Sequence, residues 1–188
     1  MSWPTELPGL DTPARVGATC VLGAGVEAAI VGRFGWSAPL FAYCYFGAVA
    51  GVTSVSDLAL RRIPNRAVLP AYLIGPALLA LASAASGSWW PLARGGIATV
   101  LLVGFYLTLG LGFRGGLGLG DVKWAGVVGL YLGWLGWSAV FTGTLLAFLA
   151  AALLVIARRV AISQIHEAAL PMAPFMTGGA LVAMLAMR

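Results

Sequence analysis

The chain has 188 residues, of which 61% are hydrophobic and only 9% are charged, with a mean hydropathy of +0.96. A soluble domain carries about 25% charged residues, so this composition excludes a surface that faces water throughout. The net charge of +5 does not indicate nucleic-acid binding, because the basic residues lie in short loops between apolar runs. We therefore expect an all-α, polytopic integral membrane protein.

Apolar segments follow one another along the whole chain after a polar N-terminal segment, residues 1–15. A helix needs ~20 mostly apolar residues to cross a hydrocarbon core of ~30 Å, and we predict a single-domain bundle, residues 1–188, of six to seven transmembrane helices. The start of the chain lacks the pattern of a cleavable signal peptide. The predicted spans are residues 16–32, 36–56, 67–86, 95–113, 122–137, 138–157 and 172–187.

Basic charge alternates from loop to loop and predicts the orientation of these spans. One side of the membrane collects Arg15, Arg61, Arg62, Arg66, Arg114, Lys123, Arg158 and Arg159, and the other has Arg33, Arg94 and Arg188. The positive-inside bias places the N-terminus and the first group in the cytoplasm. Tryptophans, which prefer the headgroup region, cluster at the opposite ends of the spans: Trp36, Trp89, Trp90, Trp134 and Trp137.

Residues that usually bind metals are sparse. Cys20 and Cys44 lie in apolar stretches and make no CxxC pair, so we expect packed thiols rather than a zinc site. The single histidine, His166, has too few neighbouring ligands in its loop to hold a metal ion. We therefore expect neither a metal nor another cofactor.

Three acidic residues lie in or beside the predicted spans, where a carboxylate is costly unless it is hydrated, paired or protonated. Asp57 follows the second span and Asp121 opens the fifth, both on the predicted cytoplasmic side. Two carboxylates that come close share a proton. The ionised member can take a proton from water while the other polarises an amide carbonyl. Glu27, inside the first span, has no evident partner, and a structural role is the better interpretation.

Other interpretations of the aspartates remain open on spacing alone. Asp121 also fits a helix N-cap, and Asp57 fits an interfacial ion pair with Arg61 and Arg62. A transporter or proton relay is a second functional class, but its carboxylates would line a cavity at the middle of the membrane. Both aspartates instead lie at span ends.

Residues around the aspartates favour an accessible site. Glycines at 115, 116, 118 and 120 permit a sharp turn and close approach of a substrate backbone to Asp121. Pro64 is expected to end helical structure after Asp57, where the first loop leaves the membrane.

At these residues the sequence resembles the type IV prepilin peptidase family of GxGD-type aspartyl peptidases. The resemblance rests on an ordered set of motifs rather than on one. They are Asp57 with Arg62-Ile63-Pro64-Asn65, Gly118-Leu119-Gly120-Asp121 with Lys123, and, more weakly, the proline-rich stretch Leu170-Pro171-Met172-Ala173-Pro174-Phe175. The presenilin group also has GxGD, but Pro76-Ala77-Leu78 lies before Asp121, an order that does not fit that group.

The resemblance implies cleavage of the short basic leader of prepilins or pseudopilins at the cytoplasmic face of the inner membrane. It assigns catalysis to Asp57 and Asp121. It assigns motif or substrate-binding positions to Gly118, Gly120, Lys123, Arg62, Pro64 and Asn65. Lys123 could keep Asp121 ionised, bind a substrate carboxylate, or act as a snorkelling anchor. The expected partners are a prepilin substrate and the lipid bilayer.

The longer members of this family carry an extra cytoplasmic segment near the first helix and also methylate the mature pilin. This sequence has no such segment, so it resembles the short form found in Flp-type or tight-adherence pilus systems. Methyltransferase activity is therefore not expected.

Overall fold

The computed structural model describes the backbone of residues 13–112, 117–161 and 170–187, and the side chains of 23–112, 117–160 and 170–187. Within these ranges the chain is entirely helical. The helices are α1 (Pro13–Phe34), α2 (Ala38–Leu60), α3 (Asn65–Ser86), α4 (Trp90–Gly112), α5 (Leu119–Leu135), α6 (Trp137–Ala161) and α7 (Ala173–Ala186). Each predicted span corresponds to one helix, which confirms the all-α prediction. The predictions for the side chains of Cys20 and His166, and for glycines 115 and 116, fall outside this part of the chain.

Several of the helices can cross a membrane by length and composition. Within the described ranges, four are long and apolar enough: α2, α3, α4 and residues 137–160 of α6; α7 is apolar but shorter. This is the pattern of an integral membrane helix bundle. Complete crossing by α1, α5 and α7 stays a prediction.

Helix boundaries differ most from the prediction at the start of α4. The helix begins at Trp90 rather than at residue 95. Pro91 fits the first turn of a helix, because backbone N–H groups there have no intrahelical acceptor and the N–H that proline lacks is not needed. The early start brings Arg94 into the helix. The break predicted near residues 136–138 is confirmed, since α5 ends at Leu135 and α6 begins at Trp137.

Helix α5 lies at the centre of the bundle and packs most extensively against α4, with further contacts to α3, α6 and α7. Nearly all its residues from Val122 to Gly133 are buried, so it has no single apolar face. Glycine makes the close α4–α5 packing possible: a Cβ on Gly129 would lie 2.8 Å from the carbonyl oxygen of Ala98. Small residues at such contacts let membrane helices approach closely.

The helices alternate in direction, so the bundle has two ends. We call the site end the one where α2, α4 and α6 finish and α3, α5 and α7 begin. At the other end, Arg94 donates hydrogen bonds to the carbonyl oxygens of Gly133 and Trp134 at the end of α5. Arg33 does the same for Met187 at the end of α7. These two arginines therefore satisfy helix C-termini.

Candidate active site

Asp57 lies in the last turn of α2 and is 5% exposed. The helix ends three residues later, and Arg61 adopts a left-handed conformation (φ 50°, ψ 37°) while its N–H bonds to the carbonyl oxygen of Asp57. A left-handed non-glycine residue costs roughly 1–2 kcal/mol, so this turn is held by its surroundings. It directs the chain sharply away from α2 directly after the aspartate.

The connection between α2 and α3 is short and ends at a proline. Pro64 is the N-cap residue of α3 and is extended (φ −72°, ψ 123°), as expected for a residue that ends the preceding helical path. Asn65 follows as the first residue of α3. The predicted interruption of the helix after Asp57 is therefore present, and it keeps Asn65 within reach of α5.

Asp121 lies in the first turn of α5, three residues after the N-cap residue Gly118. Its Oδ2 accepts a hydrogen bond of 3.0 Å from the Gly118 N–H, so the carboxylate satisfies a backbone donor of its own helix start. Gly120 allows a second contact, because a Cβ there would lie 3.1 Å from the Cβ of Ile63. Glycine at this position thus lets the α2–α3 connection lie directly against the start of α5.

These elements enclose one pocket of about 250 Å³ at the site end. Both aspartates line it. Burial, with a smaller contribution from the charge of Asp57, raises the pKa of Asp121 to about 6. Of the eight residues to which the resemblance assigns catalysis or a motif position, the pocket collects all except Pro64, which shapes the connection. The lining residues are Asp57, Arg61, Arg62, Ile63, Asn65, Gly118, Gly120, Asp121 and Lys123. The three cations and two carboxylates give it a strongly polar interior.

Lys123 contacts α3 across the pocket. Its Nζ donates a hydrogen bond of 3.1 Å to Oδ1 of Asn65. About two turns farther along α3, the hydroxyl of Tyr72 donates to the carbonyl oxygen of Lys123. The lysine is therefore attached to α3 by both its side chain and its backbone, an arrangement that holds the two motifs together.

Helix α7 contributes directly to the surroundings of Asp57. The backbone N–H of Ala173, the first residue of α7, donates a hydrogen bond of 3.0 Å to Asp57 Oδ2, in a buried position. The weak proline-rich motif thus lies beside the first aspartate. The sequence predicts that this segment opens the last helix but gives no signal that connects it with Asp57.

Glu27 lies away from the aspartate pocket. It packs against Gly47 of α2, where a Cβ would collide with its carboxylate, and it lies near the thiol of Cys44. The structural role of Glu27 stays a prediction, which this packed environment supports. Within the described ranges, no three His, Cys, Asp or Glu side chains are grouped so as to hold a metal ion.

A large part of the chain matches a known protein family. Residues 44–156 match the model of the type IV leader peptidase family, which is more than half of the chain. The protein belongs to the type IV leader peptidase family. The matched region includes Asp57, Asp121 and every residue that lines their pocket. No curated protein and no solved structure matches the chain significantly.

Membership of the leader peptidase family has direct consequences for function. The protein is a protease, and hence a hydrolase, that acts on a prepilin-like protein substrate in the context of a membrane. The match ends before α7, so the contact between Ala173 and Asp57 is a feature that the structure adds.

Two further residues of the pocket were not singled out as site residues from the sequence. The sequence indicates Arg61 only as a basic residue that sets the orientation and as an alternative ion-pair partner of Asp57. Its left-handed conformation has no signal in its residue type. Ile63 is part of the motif at residues 62–65, but its packing on Gly120 depends on the tertiary fold. Ala173 carries no chemistry in its side chain, although the prolines at 171 and 174 did mark a helix start.

Proposed function

We propose that this protein is an aspartic-type endopeptidase that removes the short basic leader of prepilins or pseudopilins. Asp57 and Asp121 form the catalytic dyad, and the scissile peptide enters the pocket at the site end. The site end faces the cytoplasm, and the bundle lies in the inner membrane. Arg62, Asn65, Gly118, Gly120, Pro64 and Lys123 shape the pocket or contact the substrate.

The observation that carries the proposal is the joint lining of one pocket by Asp57 and Asp121, at adjacent ends of two different helices. Two isolated N-caps or ion pairs would have no reason to converge. A proton relay would need carboxylates that continue into the membrane, whereas these two lie in the last turn of α2 and the first turn of α5. The observation supports hydrolysis at the membrane surface.

The chemistry needs a water molecule, one ionised aspartate and one protonated aspartate. The ionised carboxylate takes a proton from water as the water oxygen attacks the scissile carbonyl, and the protonated carboxyl donates to the carbonyl oxygen. Collapse of the tetrahedral intermediate breaks the C–N bond, and the leaving nitrogen takes up a proton. Two nearby carboxylates are suited to this division, because they resist simultaneous ionisation.

Basic charge at the site end supports the orientation. Arg61, Arg62, Arg66, Lys123 and the pair at the end of α6, Arg158 and Arg159, all belong to this end. The arginines of the opposite end are occupied with helix C-termini. The charge bias therefore resides at the end that carries the pocket, which is the pattern of a cytoplasmic face.

The experiment is leader cleavage in cells that co-express the protein with its cognate prepilin. Asp57→Asn and Asp121→Asn are each expected to abolish cleavage without loss of membrane-inserted, folded protein. Glu27→Gln is the matched control, since it neutralises a carboxylate in the same bundle away from the pocket. Cleavage at wild-type rate by either Asn variant would reject the dyad, and no cleavage by the wild type would reject the activity.

A further inference from the structure

The start of α7 and Asp57 form a contact between parts of the chain that lie far apart in sequence. The Ala173 N–H lies 3.0 Å from Asp57 Oδ2. Asp57 is 5% exposed and Ala173 is fully buried. A buried carboxylate with a backbone donor is strongly oriented, because the alternative is a costly unsatisfied group.

A second bond between the same two helices fixes the register of this contact. Ser54 Oγ donates to Thr177 Oγ1 over 3.1 Å. Thr177 lies one turn beyond Ala173 along α7, and Ser54 lies nearly one turn before Asp57 along α2, so the helices are antiparallel and the bonds are consecutive. Helix α7 therefore cannot slide or rotate along α2 without breaking both bonds.

The sequence of this segment makes the Ala173 N–H available. The first N–H groups of a helix have no intrahelical acceptor, and Pro174, the next residue, has no N–H at all. Phe175 and Met176 donate instead to the carbonyl oxygen of Met172. The donor of Ala173 thus points out of the helix start toward the carboxylate, together with the positive end of the α7 dipole.

The position of Asp57 in its own helix makes this contact consequential. The last turn of α2 presents carbonyl oxygens, and the negative end of a helix dipole disfavours a carboxylate. An N–H can only donate, so it favours the ionised form of the oxygen that it contacts. The start of α7 therefore supplies the hydrogen-bond donor and the positive dipole end that the last turn of α2 cannot offer to the Asp57 carboxylate.

Other charged groups face the same pocket from each neighbouring element. Arg61 and Arg62 come from the α2–α3 connection, and Lys123 and Asp121 come from α5. Asp121 accepts its hydrogen bond from Gly118 of its own turn, so its position does not depend on α7. Burial raises the pKa of Asp121 to about 6 and outweighs that bond, which favours the ionised form. Asp121 is therefore suited to hold the shared proton. A change at the start of α7 therefore removes a direct hydrogen bond from Asp57 but not from Asp121.

We propose that the backbone N–H of Ala173 is a positioning group that orients Asp57 and keeps it ionised as the base that activates water, while Asp121 carries the shared proton. This inference rests on the proposed function. Ser54 and Thr177 are positioning residues that hold α7 in register over Asp57.

An amide-to-ester substitution tests the contact, with lactic acid in place of Ala173 introduced during translation of the full chain. It removes the N–H and leaves the methyl side chain. We expect kcat for leader cleavage to fall about tenfold, as for loss of a hydrogen bond to a charged group. We expect the acidic limb of the kcat–pH profile to move to higher pH by about one unit. The matched control is the corresponding ester at Phe175, which removes a bond within α7 to Met172 and is expected to leave the limb in place.

A side-chain variant gives an independent reading if the ester destabilises the protein. Thr177→Val removes the bond to Ser54 at nearly constant volume, and Thr177→Ser retains the hydroxyl. The Val variant is expected to shift the acidic limb in the same direction by a smaller amount, and the Ser variant is expected to restore it.

The outcomes separate the two proposals. Cleavage by the wild type with an unmoved acidic limb in both the Ala173 ester and Thr177→Val would overturn this inference and leave the peptidase assignment intact. Movement of the basic limb instead would assign the proton to Asp57 and also overturn it. Absence of cleavage by the wild type would overturn the proposed function and this inference with it.

Discussion

Lys123 donates its side-chain hydrogen bond to Asn65 and so connects the start of α5 with the start of α3. The two residues belong to the two motifs that border the aspartate pocket, and both line it. The pair therefore determines how far the motifs lie from each other. Its effect on catalysis is expected to come through the spacing of Asp57 and Asp121.

Lys123→Ala and Asn65→Ala are each expected to reduce kcat/KM for leader cleavage about tenfold, because one hydrogen bond to a charged group is lost. The kcat/KM of the double variant is expected to be no lower than that of the less active single variant, since both changes remove the same bond. Steady-state kinetics on purified protein in detergent or liposomes measure this. Multiplicative losses in the double variant would show that Lys123 acts separately, for instance on a substrate carboxylate.

Gly120→Ala is expected to lower activity several-fold by separating the α2–α3 connection from α5. The new Cβ would lie 3.1 Å from the Cβ of Ile63, and overpacking of this kind costs about 1–3 kcal/mol. The matched control is Gly96→Ala in α4, where a Cβ meets nothing within 4 Å. Leader cleavage is measured for both variants at equal amounts of membrane-inserted protein. Equal activity of the two variants would contradict the proposed close packing of Ile63 on Gly120.

Gly129→Ala is expected to destabilise the whole bundle rather than the site. Its Cβ would meet the backbone of Ala98, with the carbonyl oxygen 2.8 Å away, and backbone cannot move aside as a flexible side chain can. We expect a loss of about 1–3 kcal/mol. Gly104→Ala, with open space around its Cβ, is expected to be neutral or slightly stabilising, because alanine is the better helix former. Thermal unfolding in detergent compares the two variants, and equal midpoints would contradict the close packing of α4 on α5 at Gly129.

Cysteine labelling in intact cells tests the orientation. After replacement of the native cysteines by serine, Ser88→Cys, in the exposed α3–α4 connection of the opposite end, is expected to react with a membrane-impermeant maleimide. Arg159→Cys, exposed at the site end, is expected to react only after the membrane is opened. The reverse pattern would place the aspartate pocket outside the cytoplasm.

The main elements of this protein can be read from local sequence. Apolar runs of membrane-crossing length predict helices wherever they occur, because the lipid leaves no other way to satisfy the backbone. Pro64 marks a helix boundary through its own backbone preference. The aspartates stand out because a carboxylate beside hydrocarbon is rare and costly.

Contacts between distant segments could not be read in this way. The attachment of Lys123 to Asn65 and the packing of Ile63 on Gly120 follow from how α3 and α5 are placed, and neither leaves a periodic signal along the chain. The segment around Ala173 illustrates the limit best. Its prolines mark a helix start, but its relevant group is a backbone N–H, which every residue except proline carries.

The sequence by itself determined that this is a membrane helix bundle and that Asp57 and Asp121 lie at helix ends. Both conclusions rest on properties of short segments: the hydropathy of each apolar run, and the free-energy cost of placing a carboxylate beside hydrocarbon. Only the tertiary structure decided that these ends meet in one pocket and that α7 supplies a donor to Asp57. Helix packing made that decision: the glycines of α5 let α4 approach it closely, and the bond between Ser54 and Thr177 holds the start of α7 over the buried carboxylate.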